Sequence, residues 1–338
     1  MTAAFQDSRA SERLAWARAA AGWPAATIAR ASADAGFRSY WRLADGGRSL
    51  VVMDSPPDLE DVRPWLHMHG LLAEGGVRVP GVLARDVERG FLLLEDLGSD
   101  TLLQLLDAGN ADAWFDTAIA QLLRIQAIPA PRDLPRYDEA MLARELRLFD
   151  EWFLGRHLGV QPDCGDLEAL DLAGRFLIDH ALAQPQVLVH RDYMPRNLMP
   201  AGDGVAVLDF QDAVAGPVAY DPACLFRDAF LGWPPERADA WLLRYHARAL
   251  EAGVPVPVAP ERFLRDAHLI GVQRHLKVLG IFARLHHRDG KPKYIADAPR
   301  FVAYLDEVLP RVPELAPLAG VIERHVRPWL AGATADAQ

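Results

Sequence analysis

One stretch constrains the fold more than any other part of the chain. It is the run V-H-R-D-Y-M-P-R-N-L-M from Val189 to Met199, followed by V-A-V-L-D-F from Val205 to Phe210. Two short apolar runs enclose Gly202-Asp203-Gly204, a turn signal, so this part reads as a β-hairpin. A hairpin centred on residue 203 sets Asn197 opposite Asp209, and cross-strand partners sit roughly 5 Å apart. Asp192 lies one tight loop upstream, and Pro195 stiffens that loop. An aspartate, an asparagine five residues on and an aspartate after an apolar strand suit phosphoryl transfer. That reaction needs a carboxylate to orient and accept the proton of the attacking hydroxyl, here Asp192. It also needs oxygen ligands to hold Mg²⁺ on the phosphates of ATP, here Asn197 and Asp209. Singly, each residue could be a turn residue or a strand-end cap; the joint pattern points to chemistry.

The rest of the chain is organised around this run. Residues 8–21 read as a helix, 37–43 and 49–53 as strands joined by the turn Asp45-Gly46-Gly47, and the segment after Pro56-Pro57 as a helix to about Ala73. Short strands follow at 81–86 and 91–95. Beyond residue 96 the periodicity is helical, at Trp114 to Leu122, Leu142 to Phe153, 166–183, 219–230, 235–252, 261–287, 297–309 and 314–328, with a short strand at 187–190. The expectation is an α+β protein, with a small sheet-bearing part over residues 1–95 and a larger, mainly helical part over 96–338.

Bulk properties exclude several classes. A net charge of −10 over 338 residues argues against general affinity for nucleic acid or anionic membrane. No uncharged run approaches membrane-spanning length, and the N-terminus is polar with mixed charge. The two cysteines, Cys164 and Cys224, read as reduced thiols of a cytoplasmic protein. No obligate protein partner is evident.

The motif from His190 to Asn197, with Asp209, resembles the catalytic and metal motifs shared by protein kinases and aminoglycoside phosphotransferases. The continuation D-F-Q-D-A-V-A-G-P-V-A-Y-D-P-A is similar to the phosphotransferase branch, and no A-P-E segment follows it. The resemblance implies a protein-kinase-like two-lobed fold with ATP between the lobes. It also implies a supporting role for Asp221, as a helix cap that braces the catalytic loop together with His190. Three segments, His190 to Met199, Leu208 to Asp221 and G-V-Q-R-H-L-K-V-L-G-I-F-A-R-L from Gly271, look like the anomeric N-acetylmuramate/N-acetylglucosamine kinases of bacterial cell-wall recycling. So does V-V-M-D-S-P-P from Val51, and the likeness covers nearly the whole chain. What it implies is ATP-dependent phosphorylation of a sugar's anomeric hydroxyl. Other acceptors of the same chemistry (an aminoglycoside, a choline-like alcohol, another hexose) are the alternatives. A nucleotide-binding regulator without catalysis is an alternative of a different class.

That fold places the adenine hinge at F-L-L-L-E-D-L-G, with backbone groups near Glu95 and Leu97 pairing with the base. The sequence departs from the pattern in one respect. The β3 lysine, expected at Met53 or Asp54, is missing, and no lysine precedes Lys277. Arg38 or Arg42 could replace it, since arginine grips phosphate bidentately. These arginines lie in D-A-G-F-R-S-Y-W-R, where a phosphate-covering loop would be, although that segment has one glycine. On the acceptor side, residues 262–293 carry eight Lys/Arg against Asp266 and Asp289, a local net of +6. A basic surface suits an acceptor bearing a carboxylate, such as the lactyl group of N-acetylmuramate. It would suit a polycation poorly. Gln273, Arg274, Lys277 and Asp228 are the acceptor candidates.

Overall fold

A computed structural model describes residues 3–33 and 37–335. The chain forms two compact units, Met1–Gln121 with Arg196–Gln211, and Leu122–Pro195 with Asp212–Gln338. Asp34, Ala35 and Gly36 of the anticipated phosphate-covering loop lie outside the described residues.

The first unit is built on a five-stranded antiparallel sheet of order β1-β2-β3-β5-β4. Its strands are β1 (Thr27–Ala33), β2 (Ser39–Asp45), β3 (Arg48–Asp54), β4 (Val82–Asp86) and β5 (Phe91–Glu95). The turn between β2 and β3 is Gly46-Gly47, both at positive φ, because Asp45 pairs with Arg48 and two residues close the hairpin. Period-two alternation divides the sheet. Leu43, Val52 and Leu93 are buried against Ala17 of helix α1 (Ala3–Ala21), with Leu14, Trp16 and Trp41 beside them. Tyr40, Arg42, Val51 and Leu94 face the other way. Helix α2 (Arg63–Glu74) buries Trp65, Met68 and Leu72 and ends at Gly75-Gly76, and after β5 come the short α3 (Leu102–Leu105) and α4 (Ala111–Ala127). Strand β1 was not legible in the sequence. Its T-I-A-R-A-S-A is mostly small residues at a sheet edge, with no apolar alternation to announce it.

The unit is completed by the hairpin of β7 (Leu198–Ala201) and β8 (Gly204–Val207), where Val207 N–H donates to the Arg78 carbonyl at 2.8 Å. The register corrects the sequence reading by one residue. Ala201 pairs with Gly204, so the turn is Gly202-Asp203, with Gly202 at φ +61°. Two residues rather than three close the loop because a glycine at the first turn position supplies the twist a hairpin favours. Asn197 therefore lies level with Leu208, whose N–H donates to its carbonyl at 2.9 Å, and Asp209 is one residue further on.

The second unit is helical. In chain order it contains α5 (Glu139–Leu148), a π-helical continuation over Phe149–His157, and α6 (Cys164–Leu182). After these come β6 (Gln186–Val189), β9 (Val214–Pro217), α7 (Tyr220–Phe226), α8 (Pro235–Glu251), α9 (Pro260–His287) and α10 (Ala298–Val308). β6 pairs antiparallel with β9, a four-residue strand not anticipated from the sequence. Helix α9 is the axis of this unit: buried residues occur all round it from Phe263 to Ala283, which is the pattern of a helix enclosed by others. It meets the end of α5 at Gly280, where an added Cβ would come within 2.3 Å of the Leu148 backbone. Gly280→Ala is therefore expected to destabilise the protein by about 3 kcal/mol through overpacking. Gly271→Ala, on the same helix, meets only the His275 ring at 3.5 Å and is expected to be tolerated. Paired thermal melts check both.

Candidate active site

Within the first unit, a cleft of ≈ 310 Å³ opens on the sheet face opposite α1. Val51, Leu94, Met199, Leu208 and Phe210 supply apolar walls, and Asn197 and Asp209 lie in the same lining. A mostly apolar concavity with a few placed polar groups is how nucleotide-sized ligands are held. Trp65 supports one wall, tilted against Phe210 with ring centroids 5.1 Å apart. Asn197 is buried, while the Asp209 side chain is 40% exposed and accepts a hydrogen bond from Gln211 Nε2 at 2.8 Å. Asp209 sits at φ +61°, a conformation L-residues seldom hold unless the surroundings impose it.

The position of the absent lysine is clear from the register. Met53 pairs with Tyr40 and is fully buried. Asp54 belongs to the opposite face, bound by Arg9 and Arg13 of α1 at 2.5 and 2.7 Å. Neither offers a cation to the cleft. Arg38, just before β2, lies 3.3 Å from Glu60 and 4.0 Å from Asp209. Arg42 lines the cleft but is anchored elsewhere, to Asp96 at 2.6 Å, to the Gly98 carbonyl at 2.7 Å and to the Ser99 hydroxyl at 3.0 Å. Its side chain fixes the 96–99 turn, so of the two arginines Arg38 is the one held beside the metal-type aspartate.

The anticipated hinge also lines this cleft at Glu95 and Leu97. The Glu95 carboxylate is held by Arg78 at 2.5 Å and by the Gly81 N–H at 3.1 Å, and its own N–H is taken by the Gly81 carbonyl. The hydrogen bond from Arg78 outweighs desolvation and keeps this carboxylate below the usual range. That leaves the Leu97 amide, which makes no hydrogen bond among the described residues, as the donor available to a base.

The second unit carries Asp192 on the loop after β6. Asp192 is exposed, whereas His190, Tyr193 and Met194 around it are buried. The loop is held from beneath by Asp221, fully buried at the start of α7, which accepts the N–H groups of His190 at 2.7 Å and Arg191 at 2.9 Å. Burial pushes the Asp221 carboxyl up to about 6, against the pull of His190 and of those N–H groups. His190 Nδ1 in turn accepts the Asp192 N–H at 3.3 Å. Arg191, directly before Asp192, is at φ +75°; with Asp209 it completes the pair of non-glycine residues at positive φ among the described residues. Arg191 adjoins Asp192 in sequence and Asp209 is itself a motif residue, and functional segments are where such backbone conformations concentrate.

A residue the sequence reading missed anchors Arg191. Glu145 of α5 binds the Arg191 guanidinium at 2.7 Å and Lys277 Nζ at 2.8 Å, and it accepts the Tyr137 hydroxyl. Gln273 Nε2 donates to it at 3.3 Å. Burial alone would raise the Glu145 carboxyl, but the Lys277 and Arg191 charges outweigh it and hold the group ionised below its ordinary value. Glu145 lies 46 residues from Arg191 in sequence, and nothing local marks it.

The acceptor candidates are not the exposed basic surface that their charge suggested. Gln273, Arg274 and Lys277 are 0%, 2% and 9% exposed. Lys277 is spent on Glu145 and on the Tyr220 hydroxyl at 3.2 Å, and Arg274 donates to the Arg227 carbonyl at 3.2 Å. The helix is enclosed, so its cations pair with buried carboxylate and carbonyl oxygens instead of facing water. Arg227 pairs with Asp239 and Glu307. Asp228 is fully buried; its Oδ1 accepts the N–H groups of Phe230 and Leu231, and burial raises its carboxyl. The Asp228 Oδ2 and Gln273 Oε1 atoms are buried without a hydrogen-bond partner among the described residues.

Comparison with known proteins decides the family. The profile of the phosphotransferase enzyme family matches residues 27–260. The chain belongs to that family. It is also 52% identical over 299 residues to an N-acetylmuramate/N-acetylglucosamine kinase of Pseudomonas putida, covering 88% of each chain. With the enzyme of the same name from Pseudomonas aeruginosa it is 53% identical over 306 residues, 90% of each. Among solved structures, this phosphotransferase is similar in fold to an ADP-bound aminoglycoside phosphotransferase, APH(2'')-Ib. The TM-score is 0.57 at 16% identity, over 82% of this chain and 92% of that one. A choline/ethanolamine kinase family protein from Mesorhizobium loti gives a TM-score of 0.60 at 15% identity, over 91% and 97%. The protein-kinase-like α+β fold expected from the sequence is thus the fold of the family. The two cysteines are free, Cys164 exposed and Cys224 buried, and no helix among the described residues is long and apolar enough to cross a membrane.

Proposed function

We propose that this phosphotransferase is a cytoplasmic sugar kinase that transfers the γ-phosphoryl group of ATP to the anomeric hydroxyl of N-acetylmuramate or N-acetylglucosamine, giving the sugar 1-phosphate. The observation that carries this reading is identity above 50%, over about nine-tenths of both lengths, to kinases named for those two sugars.

Each residue then has a role that its chemistry permits. The Asp192 carboxylate accepts the hydroxyl proton and aligns the sugar oxygen for attack. The chemistry of the donor set at Asn197 and Asp209, an amide oxygen and a carboxylate in one cleft lining, fits a hard cation. Mg²⁺ held there would neutralise charge on the phosphate oxygens. Arg38 supplies the fixed positive charge that the missing lysine would have supplied, with Glu60 orienting its guanidinium. The apolar walls around Val51 and Leu94 hold the adenine, with the Leu97 N–H as its donor. Glu95 and Arg42 brace the strand end and the turn that present that amide. Asp221 and His190 keep the Asp192 loop in shape. For the acceptor, Gln273 and Asp228, both fully buried, act from behind the sugar-facing surface by fixing the groups around them. Arg274 and Lys277 set a positive potential felt at Asp192 and suited to an anionic acceptor.

Phosphorus NMR of ATP with each amino sugar tests the reaction. An anomeric phosphate doublet is expected; a phosphomonoester on the primary hydroxyl, or turnover with aminoglycosides or choline instead, would reassign the acceptor. Arg38→Ala is expected to lower kcat/KM for ATP on the order of 10²-fold, the scale of losing one preorganised charge at the transferring group. Arg42→Ala is expected to cost less than about tenfold, since it acts through the turn. Steady-state kinetics with ATP as the varied substrate separates the two, and an Arg38→Ala enzyme with unchanged constants would remove that assignment.

A further inference from the structure

The second unit brings together three imidazoles that have no role in the chemistry above. His157 ends the π-helical segment, and His286 and His287 end α9. One ring nitrogen from each can be chosen so that all lie within 4.8 Å of one another. His157 Nδ1 and His287 Nε2 are 3.2 Å apart. Two nitrogens each 2.0–2.1 Å from a tetrahedral ion stand about 3.3 Å apart, so this pair already has the separation of two ligands.

The remaining nitrogens add a second observation. Of these, His286 Nδ1 is shielded from solvent and has no hydrogen-bond partner among the described residues, which leaves its lone pair for an ion. Buried polar atoms are seldom left so. His287 is exposed, so the cluster has a path to water. Packing holds His157 in place, with Phe153 and Trp329 rings centred 5.7 and 5.6 Å away.

We infer that His157, His286 and His287 form a binding site for a nitrogen-preferring divalent transition ion, Zn²⁺ or Co²⁺, separate from the hard-cation position at Asn197 and Asp209. Imidazole suits such ions, whereas Mg²⁺ prefers oxygen ligands. Three protein ligands leave a fourth position. Occupancy would tie the end of the π-helical segment to the end of α9.

The test uses the tag-free full-length protein in Mg²⁺ buffer, titrated with Co²⁺. The expected result is the visible absorption of four-coordinate Co²⁺, saturating at one equivalent, with Zn²⁺ displacing it and raising Tm. His157→Ala and His287→Ala are each expected to weaken binding at least tenfold while kinase turnover stays unchanged. Unaltered Co²⁺ affinity in both variants, or no saturable absorption in the parent protein, would overturn the site. Should a variant misfold, X-ray absorption of the zinc-loaded parent protein decides alone. Three imidazole nitrogens at about 2.0 Å support the site, and an all-oxygen shell refutes it.

Discussion

Asp192→Asn is expected to lower kcat by about 10³-fold, within the range for losing a positioned general base, and to leave Tm unchanged. The substitution keeps the size and outline of the side chain but removes its capacity to accept a proton. The fold should not register the change. Asp192 is exposed, the Asp221 carboxylate and the His190 ring accept the N–H groups that shape its loop, and asparagine keeps the outline of the side chain. KM for ATP should stay within about twofold, since only the proton-accepting step is touched. Steady-state kinetics beside a thermal melt is the measurement. A loss under about tenfold with an intact melt would mean that the hydroxyl is activated by something other than Asp192.

The second large effect concerns stability. Glu145→Ala is expected to destabilise the protein by about 3–5 kcal/mol, the cost of removing one partner from a buried ionic cluster. Arg191 and Lys277 would both lose the carboxylate that neutralises them, and the Tyr137 hydroxyl would lose its acceptor. The side chains of this cluster are 21% exposed or less, so water offers little compensation. Adding Lys277→Met to Glu145→Gln should recover part of the loss, because an uncharged pair leaves no orphan ammonium behind. Denaturant unfolding of the single and double variants reads this out. A Glu145→Ala variant within about 1 kcal/mol of the parent would show that the cluster contributes little.

Asp192 and Glu145 also mark how far the sequence can be read. The phosphotransfer signature was legible because its residues lie within twenty positions of one another and local turn chemistry orders them. His190, Asp192, Asn197 and Asp209 are spaced by a loop and a hairpin that the pattern itself announces. The long helices were legible for a similar reason, since each carries its own periodicity. The hairpin register was not, because a two-residue and a three-residue closure around Gly202-Asp203-Gly204 look alike until the strands pair.

By itself, then, the sequence determined the fold class, the catalytic segment and the absence of an early lysine. Those are properties of short windows and residue types. Only the tertiary structure decided that Arg38, not Arg42, stands beside Asp209. It alone showed that the cations of α9 are interior and that Glu145 holds Arg191. Each of these is a pairing between charges dozens of residues apart, and what a charged side chain does depends on which partner the packed chain brings within about 4 Å. Composition can count such charges; only the folded chain can say which of them face water and which face one another.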